Sequence, residues 1–386
     1  MKTTSQRLLA LDVLRGFTIA GMILVNNPGS WGKMYAPLQH APWHGLTPTD
    51  LIFPFFMFIM GISMYISLNK YGFECNRSAV WKIVKRSLII FAIGLGLSWF
   101  YLFCRTMNAL STEDLPFLTQ LGKSMWTFDR LRILGVLPRL ALSYGFAAII
   151  VLLVKHKHIP YVIGTILIGY LLVLIFGKGY EYNETNILSV VDRAVLGIKH
   201  MYNDNGIDPE GILGTIPSIA QVLLGFYCGM WLVSVNDIRD KILRLFLFGT
   251  ILTFVGFLLS YGCPINKKIW SPTFVITTCG LGSSFLALLI WIIDVKGHKK
   301  WSRFFEAFGV NPLFMFVLGG IIATLLNNIN FMYNETRISI KGFIYRILLQ
   351  PVFGDYLGSL IFAILFVCLI WLCGYYLYKK KIYIKI

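Results

Sequence analysis

Apolar positions along this chain fall into long runs, and shorter segments between them hold most of the charged residues. Predominantly apolar runs of about 18 residues or more have the length at which a helix crosses the hydrocarbon core of a bilayer. The pattern predicts an all-α, polytopic membrane protein that forms a single transmembrane domain over residues 1–386. We expect ten membrane-spanning helices, near residues 8–26, 50–68, 83–103, 133–154, 159–176, 215–235, 241–262, 270–293, 304–326 and 358–378.

The composition supports this prediction, because 56% of the residues are hydrophobic and only 14% are charged, with a mean hydropathy of +0.69. Soluble proteins carry about a quarter charged residues. The net charge of +17 does not indicate a nucleic-acid partner, since the basic residues lie in short loops and no zinc-finger or RNA-binding motif accompanies them. The seven cysteines form no C-x-x-C pair, so neither a disulfide framework nor a zinc site is expected.

The basic residues instead predict the orientation of the helices. With Lys2 and Arg7 in the cytosol, most loop lysines and arginines also face the cytosol, including those of the tail such as Lys385. Both termini are therefore expected to be cytosolic. The first apolar stretch lacks a small-residue cleavage site and is expected to remain as a span.

The substantial loops all fall on the outer side in this orientation. They cover residues 27–49, 104–132, 177–214 and 327–357, and the last of them is too polar to span and is expected at the interface. Loops of this size commonly carry function. A polar substrate is therefore expected to be met on the outer face.

One carboxylate and one guanidinium lie within the first predicted helix. Asp12 and Arg15 are three residues apart and so share a helix face. An ionisable residue in a span is costly, and pairing offsets part of the cost. The pair either locks this helix to its neighbours or lines a polar cavity, and the sequence leaves both readings open.

The loop after the first helix combines His40, Trp43 and His44 with Asp50 at the mouth of the second helix. Asp50 either caps the free N–H groups of that helix or orients the His40 imidazole as the acid behind a catalytic histidine. The spacing of His40 and His44 would suit a zinc site on a helix, but Pro42 argues against a helix here and no third ligand stands out. No metal is therefore expected.

Three other groups are candidates. Arg139, inside the fourth predicted helix, would suit a phosphate or carboxylate ligand, or would pair with Asp12. Asp208 and Glu210 precede the sixth span, where they either cap the helix or bind substrate. Lys268 lies in a basic, aromatic turn that either anchors the chain at the interface or binds an anionic ligand. The chain has no P-loop or dinucleotide-binding glycine motif, which disfavours nucleotide chemistry.

Several of these segments resemble the heparan-α-glucosaminide N-acetyltransferase family, in order from residue 7 to about residue 315. The matching segments are Arg7-Leu8-x-x-Leu11-Asp12-x-x-Arg15-Gly16, Val25-Asn26-Asn27, His40-Ala41-x-Trp43-x-Gly45-Leu46-Thr47-x-x-Asp50-Leu51, Phe53-Pro54-x-Phe56, Gly135-Val136-Leu137-x-Arg139, Asp208-Pro209-Glu210-Gly211, Asn266-Lys267-Lys268-x-Trp270 and Asn311-Pro312-Leu313.

The resemblance implies a transmembrane acetyltransferase that uses cytosolic acetyl-CoA to acetylate an amino sugar on the far side of the membrane. It implies that His40 is the essential histidine and that Asn26, Asp50 and Arg139 occupy family motif positions. The chain departs from the family at His44, where Asn is common, and at Pro138, where Gln is common. It also begins directly at the first span, without the extracytosolic domain of animal members. We therefore expect a bacterial inner-membrane member for which heparan sulfate itself need not be the substrate.

Ten residues are predicted to form the site. The catalytic residues are predicted to be His40 and Asp50, and acetyl-CoA is predicted to contact Asn26, Arg139 and Arg15. The glucosamine-type acceptor is predicted to contact Asp12, Trp43, Asp208, Glu210 and Lys268.

His40 would act either as a covalent acetyl acceptor or as a general base for direct transfer, and direct transfer is favoured slightly. The expected partners are the amino-sugar or glycan substrate and membrane lipid, without nucleic acid, and the resemblance implies a homodimer. The alternatives are an amino-sugar or glycan transporter and an envelope-glycan O-acyltransferase.

Overall fold

The computed structural model of the chain describes residues 8–384. Lys2, Arg7 and Lys385, on which part of the predicted orientation rests, lie outside the described residues. Helices dominate the rest. Their bounds are α1 Leu9–Asn26, α2 Ile52–Asn69, α3 Arg77–Leu110, α4 Phe117–Met125, α5 Val136–Leu153, α6 Ile159–Phe176, α7 Ile187–Val195, α8 Ile212–Ser234, α9 Ile238–Leu259, α10 Pro272–Leu289, α11 Ser302–Val310, α12 Pro312–Asn328, α13 Ile340–Gly342, α14 Gln350–Phe353 and α15 Asp355–Lys379.

The prediction of a polytopic all-α membrane protein is confirmed. Between residues 8 and 384, nine helices are long and apolar enough to cross a bilayer, and the α11–α12 pair would make a tenth span. Two short strands, β1 Asn330–Tyr333 and β2 Thr336–Ser339, form an antiparallel hairpin within the polar segment before α15. The predicted loop over residues 104–132 is shorter than expected, because α3 continues to Leu110.

The predicted continuous span over 304–326 is wrong, because α11 and α12 meet at a bend of 87°. A residue that precedes proline is disfavoured in the helical conformation, and Asn311 before Pro312 adopts a non-helical conformation with φ −126° and ψ 56°. The Asn311 side chain then binds the chain near its end, donating to the Ile382 carbonyl and accepting from the Ile384 N–H, each at 2.8 Å. The break is therefore built into the structure by side-chain hydrogen bonds.

Small residues let the central helices approach closely, as is common in membrane bundles. A Cβ added at Gly61 of α2 would lie 2.0 Å from the Val222 carbonyl oxygen of α8, and one added at Gly16 of α1 would lie 1.8 Å from the Phe305 carbonyl oxygen of α11. The helices α1 and α2 also pack against each other. The loop that joins them is therefore held at one end of a tightly packed centre.

Four loops meet at that end of the bundle. The backbone N–H of Gly45 donates to the Ile265 carbonyl at 2.8 Å, and the Trp43 indole donates to the Tyr180 carbonyl at 2.9 Å. The N–H of Ile133 donates to the His200 carbonyl at 3.0 Å. We call this end of the bundle the loop end, and the end at which α2 finishes and α3 begins the opposite end. That the loop end faces away from the cytosol stays a prediction.

Candidate active site

His40 and Asp50 lie together at the loop end. Asp50 is in a short helical turn, Pro48–Leu51, that leads into α2. Its Oδ1 accepts from Nδ1 of His40 at 2.6 Å, and its Oδ2 accepts from the backbone N–H groups of Ala41 and Thr47, each at 3.1 Å. The carboxylate thus performs both predicted tasks, since one oxygen caps the turn and the other orients the imidazole.

The two side chains differ in access to solvent. The Asp50 side chain is 1% exposed, whereas that of His40 is 45% exposed. Because Nδ1 of His40 faces a carboxylate, we assign its hydrogen to that nitrogen, which leaves Nε2 as the ring nitrogen with a lone pair. A histidine in this state is able to accept a proton at Nε2 from a bound molecule.

Lys267 is the third group of the cluster, and it is not among the site residues predicted from the sequence. Nζ of Lys267 lies 3.0 Å from Nδ1 and 3.5 Å from Nε2 of His40, and 3.4 Å from Oδ1 of Asp50. The Lys267 side chain is 16% exposed. Burial lowers the pKa of Lys267, although the Asp50 carboxylate opposes part of that shift. The amino group of Lys267 therefore lies beside the imidazole, on a side chain that is largely buried.

The neighbouring Lys268, which was predicted to contact the acceptor, lies against Asp204 and Tyr182. Its Nζ lies 2.6 Å from a carboxylate oxygen of Asp204 and 3.1 Å from the Tyr182 hydroxyl. Burial opposes the charge of Lys268, but these two partners outweigh burial and raise its pKa. The sequence contained both lysines in one turn, yet the direction of each depends on how that turn folds against distant loops.

Aromatic groups form one edge of the cluster. Trp43 stacks on Tyr182 with ring centroids 4.5 Å apart, and Nδ1 of His44 lies 3.3 Å from the side-chain nitrogen of buried Asn266. His40 and His44 thus have different partners and do not face a common point through their Nδ1 atoms. Trp43 offers an aromatic surface in the same loop as His40, and its contact with a sugar stays a prediction.

Arg132 forms ion pairs with both Asp208 and Glu210. It is the second residue of this region that was not predicted from the sequence. One guanidinium nitrogen of Arg132 lies 2.6 Å from Oδ1 of Asp208 and 2.6 Å from Oε2 of Glu210. Burial would raise the pKa of Glu210, but the positive charges of Arg132 and Arg139 outweigh burial and hold it below its usual value. Both acids are therefore committed to an internal ion-pair network.

Arg139 is fully buried beneath this network. Its Nε donates to the Ser218 hydroxyl at 2.9 Å, its Nη1 donates to the Pro209 carbonyl at 2.5 Å, and its guanidinium lies 4.3 Å above the Trp270 ring. The alternative that Arg139 pairs with Asp12 is therefore wrong. Trp270 in turn contacts Phe53 at 5.5 Å between ring centroids, so Arg139 connects through it to the start of α2.

Asp12 and Arg15 form their ion pair far from the cluster, at 3.1 Å. Fourteen residues of α1 separate Asp12 from Asn26, which corresponds to about 20 Å of helix. Arg15 also donates to the Ser63 hydroxyl at 2.7 Å and the Gly309 carbonyl at 3.3 Å. Asn26 is the last residue of α1 and is exposed. The structure therefore does not bring Asp12 to His40.

Arg15 lines a cavity of about 390 Å³ between α1, α2, α3, α5 and the α11–α12 break. Arg86, Ser63 and Tyr144 also line this cavity, and its walls reach Phe53 and Val136 at the loop end. Phe53 is one helical turn from Asp50. We call this space the arginine cavity. It extends from Arg15 and Arg86, which we call the arginine level, to the side chains directly below the His40 cluster.

The segment that contains His40 and Asp50 also matches a known protein family. A family model described as "Heparan-alpha-glucosaminide N-acetyltransferase, catalytic" matches residues 7–263. The chain is 27% identical to the Mus musculus heparan-alpha-glucosaminide N-acetyltransferase, over 100% of this chain and 61% of the relative. It is 28% identical to the Homo sapiens protein of the same name, over 81% of this chain and 52% of the relative. The chain thus spans only part of the length of the curated relatives that it matches.

Proposed function

Because the chain belongs to the heparan-α-glucosaminide N-acetyltransferase family, we propose that it is a membrane acetyltransferase that moves acetyl from acetyl-CoA to the amino group of a glucosamine-type sugar. The contact between His40 and Asp50, 2.6 Å long and at the end of the bundle where the loops meet, carries this proposal. The matched segment contains both residues.

His40 acts as the general base in this proposal. The nitrogen of the acceptor amine forms a bond to the acetyl carbonyl carbon while the carbon–sulfur bond of the thioester breaks, and Nε2 of His40 takes the proton that this nitrogen then loses. The proton leaves His40 with the thiolate of CoA. Asp50 holds the imidazole in the orientation that presents Nε2 and stabilises the positive charge that the ring acquires.

Lys267 supplies a positive charge next to the reacting atoms. Its Nζ is 3.5 Å from Nε2 of His40, so it lies close to where the carbonyl oxygen of the acetyl group gains negative charge. Fixed cationic or hydrogen-bond donors at such a position stabilise the transition state. This role is distinct from that of Lys268, which is paired with Asp204.

The arginine cavity is the proposed site of acetyl-CoA. Arg15 and Arg86 offer guanidinium groups that suit phosphate, and the apolar walls that lead to Phe53 suit an extended chain with a thioester at its end. We place the arginine level toward the cytosol of a bacterial cell, where acetyl-CoA is made, and the loop end toward the outer side. The basic loops support this orientation.

Acetyl transfer by the purified full chain tests the proposal. Radiolabelled acetyl-CoA and glucosamine are supplied to the wild type, to His40→Ala and to His44→Ala, the neighbouring loop histidine as a matched control. We expect His40→Ala to lower kcat by about 100-fold or more, since positioned general bases contribute on this scale. His44→Ala is expected to retain most of its turnover.

The outcomes separate the alternatives. If His40→Ala and His44→Ala lose activity equally, His40 is not the base. Label that stays on the wild-type protein in the absence of sugar would replace direct transfer with a covalent acetyl-histidine route. Absence of transfer to any amino sugar, with acetyl-CoA failing to raise the Tm, would overturn the acetyltransferase.

A further inference from the structure

A second cavity, larger than the first, lies on the other face of α1 and α2. Its volume is about 670 Å³, and among its lining side chains Thr49 and Cys368 alone carry a hydroxyl or thiol group. Its inner part is walled by aromatic side chains, including Phe17, Phe285 and Phe305. We call this space the apolar cavity. The proposed donor chemistry does not use it.

The apolar cavity opens toward the hydrocarbon of the bilayer. It is bounded by α1, α2, α10, α11 and α15, which are spanning segments or part of the broken one. Phe17 and Ile364, which line it, are 38% and 45% exposed, and Cys368 is also exposed. A hydrocarbon chain from the surrounding membrane can therefore enter it from the side.

The outer end of the apolar cavity is closed by the loop that carries His40 and Asp50. Pro37 and Leu38 line the cavity two or three residues before His40, and Pro48 and Thr49 line it directly before Asp50. The Thr49 hydroxyl donates to the Pro37 carbonyl at 3.1 Å, which joins the two parts of this closure. A chain in the cavity therefore ends against the loop of the catalytic pair.

Exposed aromatic side chains mark the depth of this loop. Tyr35 is 42% and Tyr356 is 45% exposed, their ring centroids are 5.7 Å apart, and Trp31 is 62% exposed. Tyrosine and tryptophan concentrate at the level of lipid headgroups. Leu38 lies beside these tyrosines in a small neighbouring cleft and also lines the apolar cavity. His40, two residues further on, is thus close to headgroup depth.

We propose that the acceptor amino sugar is the headgroup of a membrane lipid, and that the lipid's hydrocarbon chain occupies the apolar cavity while the sugar reaches His40. This proposal rests on the acetyltransferase function above and specifies the class of acceptor. A sugar dissolved in water would gain nothing from an apolar space of this size, whereas a hydrocarbon chain packs against its carbon-lined walls and keeps the attached headgroup beside the loop. The transferred bond is the same amide, and the lipid chain is not altered.

A pair of acceptors that differ in their chain tests the proposal with the full-length protein in lipid nanodiscs. Methyl glucosaminide and dodecyl glucosaminide present the same amine, with and without a long hydrocarbon chain. We expect kcat/KM of the wild type to be at least about tenfold higher for the dodecyl compound. The measured quantity is this ratio.

Two cysteines of α15 provide a variant and its control. Cys368 and Cys373 are both exposed on this helix, and Cys368 lines the apolar cavity whereas Cys373 is not among its lining residues. We expect Cys368→Trp to lower the dodecyl-to-methyl ratio by about tenfold, since the larger side chain fills the space for the chain. Cys373→Trp should keep the wild-type ratio.

A second filling variant guards against an unstable protein. Gly21 also lines the apolar cavity, and a Cβ added there would meet the flexible end of Ile52 at 3.0 Å, so Gly21→Leu extends into the cavity with a small adjustment. If the Tm of Cys368→Trp is lower than that of the wild type, the dodecyl-to-methyl ratio of kcat/KM is measured with Gly21→Leu instead.

The outcomes distinguish this proposal from the function on which it rests. Equal kcat/KM for the two acceptors in the wild type would overturn the lipid acceptor and leave the acetyltransferase standing. The same would follow if Cys368→Trp and Cys373→Trp, or Gly21→Leu and the wild type, gave the same ratio. Transfer to neither acceptor would overturn the acetyltransferase itself.

Discussion

The arginine cavity and the apolar cavity lie on opposite faces of the same two helices and differ in chemistry. On α1, Arg15 faces the first and Phe17 faces the second, and on α2, Phe56 and Phe55 divide in the same way. One cavity contains two guanidinium groups, while the other is lined almost entirely by carbon. Helices α1 and α2 thus form a wall between a cavity lined by guanidinium groups and a cavity lined by hydrocarbon side chains.

The difference gives the joining loop a particular position in the proposed function. This loop connects the two helices of the wall, so that it lies at the end of both cavities at once. Asp50 leads into α2, and His40 precedes it by ten residues. In the proposed function, two molecules that occupy different cavities would meet only at this loop. Variants should therefore separate into those that change turnover and those that change the binding of one molecule.

Lys267→Met gives the largest expected effect of the three changes considered next, because the proposed function places Lys267 beside the reacting atoms. We expect kcat to fall by about 10- to 100-fold with little change in either KM, since one charge-stabilising donor is lost. Steady-state kinetics with both substrates provide the measurement.

Lys268→Met is the matched control, since Lys268 is paired with Asp204 and does not contact His40 through a hydrogen bond within residues 8–384. We expect it to alter kcat by less than about threefold. A greater loss for Lys268→Met than for Lys267→Met would show that the turn presents the other lysine to the substrate.

Arg86→Gln should affect one cavity alone. Arg86 lines the arginine cavity, where its guanidinium lies 4.8 Å from the centre of the Tyr144 ring. We expect the Kd for CoA to rise by about tenfold, the scale of one charge-assisted hydrogen bond, while the KM for the acceptor stays the same. Isothermal titration with CoA measures the effect.

The adjacent Lys85 provides the control, because it is also exposed on α3 but does not line the arginine cavity. Lys85→Gln should leave the Kd for CoA unchanged. If both substitutions weaken CoA equally, the effect arises from general surface charge, and the cavity is not the donor site.

Asp192→Asn should affect neither cavity and change stability alone, by the smallest amount. Burial raises the pKa of Asp192 to about 6, and its Oδ1 accepts from the Ile212 N–H at 2.8 Å while Oδ2 is buried and has no hydrogen-bond partner among residues 8–384. A raised carboxyl pKa contributes stability that is complete at low pH and is lost as the pH rises through about 6.

Asparagine keeps the Oδ1 acceptor and cannot ionise, so the variant should be more stable than the wild type at about pH 8. We expect a gain in Tm of roughly 1–3 °C at about pH 8 and a smaller difference at about pH 5. An Asp192→Asn protein whose Tm difference from the wild type is the same at both pH values would show that Asp192 does not titrate in this range.

The sequence predicted the spans well because each depends on local composition. Helix α6 begins and ends where the apolar run does, at residues 159 and 176. The break at Asn311 was missed because the surrounding run is apolar, although Pro312 was its local signal. The pairing of His40 with Asp50 was also within reach, since a short loop keeps residues ten positions apart close together.

The remaining contacts of the candidate site could not be predicted from local pattern. Lys267 and Lys268 are chemically identical neighbours, and only the packing of their turn against the His40 loop distinguishes them. Arg132 lies 76 residues from Asp208, so its ion pair depends on the relative position of two loops. Arg139 was selected correctly as unusual, but its partners on α8 and at Pro209 follow from tertiary packing.

The separation of the cluster's members along the chain also bears on how the site forms during folding. The hydrogen bonds of Asp50 to His40, Ala41 and Thr47 join residues at most ten positions apart, so the pair can form as soon as its loop closes. Lys267 is 227 residues from His40 and arrives only after α9 and α10 have been inserted and packed. A nascent or truncated chain would therefore carry an oriented histidine without its neighbouring cation, and the complete cluster would report that assembly of the bundle has finished.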